Sequence, residues 1–226
     1  MHLSKSFSIC HTASRRRELI DAIQDLLNAD VFTSKAIERL RGRLLWFENF
    51  ICGRQANVLV AQLGKFVNGA KHEQPLQRTL KDTLNQLLER VNAGKPVLVS
   101  PRVFSTWICF TDGACEEKAS VGAILVSPWG KAVYAFGSPE LQKTFYSDSQ
   151  HPIYEVELLP VLISTFLWKE QISQCQVVYY LDNDAAKSGL IKGSGATDMA
   201  NAIVGGFCEM ESLLQLKTWF SRVPTH

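Results

Sequence analysis

The chain has 226 residues, of which 46% are hydrophobic and 20% charged, with a formal net charge of +2. This composition excludes a disordered or fibrous chain and leaves room for one large domain or two small ones, each with its own core. No apolar run approaches the ~20 residues that a bilayer span requires, and no signal-peptide core is visible, so no membrane partner is expected. The six cysteines, Cys10, Cys52, Cys109, Cys115, Cys175 and Cys208, form no Cys-x-x-Cys pair. That spacing argues against zinc and for a reducing intracellular setting, cytoplasm or nucleus, rather than secretion. The charge is unevenly spread. Residues 1–100 carry 15 Lys and Arg against 9 Asp and Glu, whereas residues 101–226 carry 9 against 13. A basic half suits a polyanion; an acidic half suits one only where its carboxylates hold metal ions.

The first half has helical periodicity. Leu19, Ile23, Leu26 and Leu27 mark one apolar stripe over 15–27. Thr33 is placed to cap a second helix through Ile37, Leu40, Leu44 and Phe47 towards Ile51. A short helix is expected over 57–67. A further one is expected over 76–91, where Leu76, Leu80, Leu84, Leu87, Leu88 and Val91 recur in steps of three and four. Gly94, Pro96 and Pro101 break the pattern, which sets a helical region at 1–98 and a second domain at 102–226. The second half changes period. Strands are expected over 107–111, 120–127 and 131–137, with Pro128-Trp129-Gly130 as the turn between the last two. A long apolar helix over 153–169 comes next. A strand over 176–181, a helix over 183–191 closed by Gly193, a helix over 196–214 and a final strand over 216–223 complete the order.

Three acids stand at informative places in this order. Asp112 closes the first strand, Glu157 sits near the start of the long helix, and Asp182 follows the strand over 176–181. Strand ends and the first turn of a packing helix can converge in space. Carboxylates that converge can share Mg²⁺, a hard ion that takes oxygen ligands, and two such ions about 4 Å apart suit phosphodiester hydrolysis. Each acid also has a plain structural use: an Asp-Gly turn, a helix N-terminal charge, an N-cap. Glu155 competes with Glu157, although on a helix the two point in different directions. Pro160 lies three residues after Glu157, so the helix either starts near Glu157 or is kinked there.

From Trp107 onward the sequence resembles the ribonuclease H domains of retroelement reverse transcriptases. The residues that carry the resemblance are Phe110-Thr111-Asp112-Gly113-Ala114, Glu157-Leu158-Leu159, and Leu181-Asp182-Asn183-Asp184-Ala185-Ala186 followed by Leu190-Ile191-Lys192-Gly193. The resemblance implies an α/β fold with a five-stranded mixed sheet. It also implies two-metal, Mg²⁺- or Mn²⁺-dependent cleavage of the RNA strand of RNA–DNA hybrids. Asp112, Glu157 and Asp182 match the first three catalytic carboxylates, with Asp112 shared between the ions. Arg222-Val223-Pro224-Thr225-His226 looks like the strand exit of such domains, where His226 would match a mobile histidine that assists product release. Such domains carry a fourth carboxylate beyond that histidine, and this sequence stops at His226. The expected domain is therefore truncated at its C-terminus.

The first half, through Leu40-Arg41-Gly42-Arg43-Leu44, Phe47 and Gly53-Arg54, resembles the thumb-to-connection region that precedes ribonuclease H in these elements. That implies an upstream polymerase domain in the same polyprotein as a partner. Arg39, Arg43 and Arg54 are candidate phosphate contacts, with a merely solvated helix face as the alternative. The competing reading of the whole chain is an inactive ribonuclease H-like module that binds hybrid, or serves a structural role, without cutting.

Overall fold

In the second half, side chains alternate between buried and more exposed along the strands over 106–115 and 176–181, as a half-covered sheet requires. The computed structural model describes residues 7–47, 54, 56–67, 74–94, 97–99, 105–115, 118–139 and 152–223. The chain divides into two compact units, Met1–Arg102 and Val103–His226.

The first unit runs β1 (Phe7–Ile9), α1 (Ala13–Asn28), β2 (Val31–Phe32), α2 (Ser34–Phe47), α3 (Asn57–Gly64), β3 (Gln74–Pro75), α4 (Arg78–Ala93) and β4 (Val97–Val99). It is mainly helical, as the apolar stripes require. Leu19, Ile23, Ile37, Leu40, Leu44, Val60, Leu63, Leu80, Leu84, Leu87 and Val91 form one buried cluster. The Thr12 side chain caps α1 by accepting from the Arg15 N–H, and Thr33 Oγ1 accepts from the Ala36 N–H at the head of α2. The second helix ends at Phe47; the rest of the run towards Ile51 lies outside the described residues. Two short antiparallel pairs, β1 with β4 and β2 with β3, were not expected from the sequence.

The second unit runs β5 (Thr106–Cys115), β6 (Ala119–Val126), β7 (Ala132–Gly137), α5 (Ile153–Leu167), α6 (Lys169–Ile172), β8 (Gln176–Leu181), α7 (Asp184–Lys192), α8 (Asp198–Leu213) and β9 (Lys217–Arg222). The five strands form one sheet in the order β7-β6-β5-β8-β9. The first three are an antiparallel meander, while β8 pairs parallel to β5 and β9 parallel to β8. Parallel pairing needs a crossover, and α5 with α6 supplies it between β5 and β8. This mixed five-stranded sheet with its helices is the ribonuclease H-like fold expected for the second half.

One face of the sheet packs on α5 and α8. Cys109 Sγ donates to Ser164 Oγ of α5. The Tyr179 hydroxyl lies 2.7 Å from that of Thr165, and its ring meets Phe207 and Phe220. Burial of this kind pushes the Cys109 thiol up to about 12, far from thiolate reactivity. The opposite face carries Phe110, Ile124, Tyr134, Phe136 and Trp219, all exposed; Phe136 is 86% exposed.

One expectation is corrected here. Asp112 does not close the first strand: β5 continues through Asp112 and Gly113 to Cys115, paired with β6 throughout. Asp and Gly are poor strand formers on average, and tertiary pairing overrides that preference. The long helix keeps its expected start, and the alternative start near Glu157 is excluded. It starts at Ile153, with the Val156 N–H bonded to Pro152 O, and Pro160 lies in its interior.

Candidate active site

Asp112 reaches the site from β5, on the face of the sheet away from α5. Pairing of β5 with β8 ends at Phe110–Tyr180, so Asp112 lies just past the point where the two parallel strands part. Asp182 arrives from the other side of that fork as the first residue after β8. Bonds on either side of it fix its place. The Asn183 side chain caps α7 by accepting from the Ala186 N–H at 2.9 Å, and the Val223 N–H bonds the Leu181 carbonyl. The N-cap is thus Asn183, and Asp182 is left for other use. Glu157 comes from the second turn of α5, which can approach β5 because residue 113 is glycine. A Cβ there would stand 2.4 Å from the Val156 carbonyl oxygen and 3.0 Å from the Glu157 Cα. Gly113 is therefore needed for close backbone approach and not for a turn.

The three side chains meet: one carboxylate oxygen from each of Asp112, Glu157 and Asp182 lies within 4.8 Å of the others. Glu157 is 7% exposed. Burial, followed by repulsion from Asp182 and Asp112, raises its carboxyl to about 7, against the opposing effect of a hydrogen bond from the Gly113 N–H. Its Oε2 is buried and has no hydrogen-bond partner among the described residues. A buried acceptor without a donor is costly, and three clustered carboxylates repel one another. A hard divalent cation would remove both penalties, so the donor set fits Mg²⁺ or Mn²⁺.

The rival Glu155 and the neighbouring Asp184 lie elsewhere. Glu155, 5% exposed, accepts a hydrogen bond from the Thr197 hydroxyl, and Thr197 also caps α8 through the Ala200 N–H. Asp184 is exposed and paired with Lys187 and Arg222, which hold its carboxyl below the usual range. His226 lies outside the described residues. Arg39 and Arg43 are exposed on α2, one helical turn apart, and Arg54 is half-buried in a turn before α3. One feature of the site had no signal in the sequence. A groove lined by Phe110, Ile124, Tyr134 and Phe136 opens onto Asp112 and Asp182. Alternation along β5, β6 and β7 would have placed these side chains on one face, but not beside the acids.

No protein-family model matches the chain, and no curated protein matches it. Among solved structures, the ribonuclease H1 of the halophilic archaeon Halobacterium salinarum NRC-1 is similar over 53% of this chain and 86% of its own, at 16% identity and a TM-score of 0.42. A foamy viral protease–reverse transcriptase, solved in complex with double-stranded DNA, is similar over 92% of this chain and 35% of its own, at 11% identity and a TM-score of 0.33. The chain spans about a third of the viral chain's length.

Proposed function

We propose that the second unit is a metal-dependent ribonuclease H-type endonuclease that hydrolyses the RNA strand of RNA–DNA hybrids. The observation that carries this reading is the convergence of Asp112, Glu157 and Asp182 around the unpartnered Glu157 Oε2. Asp112 would be shared by two Mg²⁺ or Mn²⁺ ions, with Glu157 and Asp182 each completing one site. When bound, such a pair of ions stabilises the attacking and leaving oxygens of a phosphodiester. The chain's own contribution is to fix the ligands. Two come from the ends of the β5–β8 fork and one from a helix turn held against β5, so little reorganisation is needed on binding. Glu157 must shed its proton to serve, and a cation replaces that proton.

The wider context belongs to the same proposal. The first unit is read as a thumb-to-connection segment of a retroelement polyprotein whose polymerase domain lies upstream. Arg39, Arg43 and Arg54 would contact phosphates there, and His226 would assist product release.

The deciding experiment incubates a labelled RNA–DNA hybrid with Mg²⁺ or Mn²⁺ and either the wild-type chain or Asp112→Asn. Cleavage by the wild type alone, leaving 5′-phosphate and 3′-hydroxyl ends, is expected. Equal cleavage by both proteins would expose a contaminating nuclease. Tight hybrid binding without cleavage by either would establish the inactive binding module instead.

A further inference from the structure

Pro160 is buried in the interior of α5 and takes no part in the chemistry above. Proline has no N–H, so the Val156 carbonyl, four residues earlier, loses its usual helical donor. That carbonyl is the group Gly113 faces: a Cβ at 113 would stand 2.4 Å from its oxygen and 2.7 Å from its carbon. The contact is bracketed by the site. Asp112 precedes Gly113, Glu157 follows Val156, and the Gly113 N–H reaches across to the Glu157 carboxylate. The two peptides that carry Asp112 and Glu157 are therefore packed backbone to backbone, through the one carbonyl that the proline releases.

We propose that Pro160 and Gly113 act as a pair of positioning residues that set the spacing between Asp112 and Glu157. The inference rests on reading the acidic cluster as a metal site. A residue with an N–H at 160 would draw the Val156 carbonyl back towards the helix and turn the segment that bears Glu157. A side chain at 113 would push the same segment off the strand. Either change alters the geometry of the ligands while leaving their chemistry intact.

The test uses the full chain. Pro160→Ala restores the missing helical donor, so its metal-free melting temperature should equal or exceed that of the wild type. Its affinity for Mn²⁺ by calorimetry should nonetheless fall about tenfold, as is usual when the support of a metal ligand is removed, and the Mg²⁺ concentration for half-maximal hybrid cleavage should rise in step. Gly113→Ala should shift both in the same direction. Wild-type affinity and half-saturation in Pro160→Ala would overturn the inference, leaving the proline as a tolerated irregularity. A loss of affinity in Pro160→Ala that merely tracks a fall in its metal-free melting temperature would also overturn it, by assigning a structural role. Absence of Mn²⁺ binding by the wild type would instead remove the metal-site reading itself.

Discussion

At the scale of residues, Glu157 connects stability, pH and metal. Its carboxyl is raised from 4.5 to about 7, so between those values the folded metal-free chain holds a proton that the unfolded chain has released. Stability from this group is therefore greatest below pH 4.5 and is lost as pH rises through 7. The metal-free protein should be less stable at pH 8 than at pH 5.5, by on the order of 1–2 kcal/mol after allowance for solvent screening. Urea melts at the two pH values check this, and saturating Mg²⁺ should abolish the difference. Metal affinity should rise with pH through 7, since the ion competes with that proton. Asp112→Asn should remove one repulsive charge and raise metal-free stability, while lowering hybrid cleavage at least about a hundredfold. The sequence singled out these three acids from the element order and the resemblance of the motifs around them, although Asp112 lies within β5 and not at its end. It left Glu155 open as a rival to Glu157, since two residues on one helix turn differ only in direction, and direction depends on the groups packed opposite. The hydroxyl of Thr197, 42 residues away, accounts for Glu155.

At the scale of elements, that Thr197–Glu155 contact joins two helices. Thr197→Ala should lose both the cap of α8 and the donor to a buried carboxylate, costing about 2 kcal/mol. Chemical denaturation measures the loss, and cleavage per folded molecule should be unchanged. The long, strongly patterned elements were legible. Stripes of Leu, Ile and Val dictated α1 and α4, and compact apolar, β-branched runs marked β6 and β8. Shorter elements were not: β1 and β4 have three residues each and pair across some ninety positions of chain, a separation that no local pattern encodes. The extension of β5 through Asp112-Gly113 was hidden for a related reason, since Asp-Gly reads locally as a turn.

At the scale of the whole molecule, the basic first half is proposed to add phosphate contacts to those of the acidic second half. Binding that neutralises fewer phosphates releases fewer counterions, so its salt slope falls by about one unit per phosphate. Replacing Arg39 and Arg43 by alanine should therefore weaken hybrid binding and flatten its salt dependence by about 1–2 units. Filter binding or fluorescence anisotropy at several salt concentrations reads the slope, and an unchanged slope would mean that this helix face is only solvated.

The exposed face of the sheet, with Phe136 and Tyr134 largely bare beside Ile124 and Trp219, bears on how all of these measurements are made. Dyes that fluoresce on apolar surface, commonly used to follow melting, would bind the native state before heating begins. Their signal would start high and change little on unfolding, and it would be sensitive to any self-association through that face. The metal- and pH-dependent shifts expected here are better followed by circular dichroism, which reports the backbone and ignores which surface is wet.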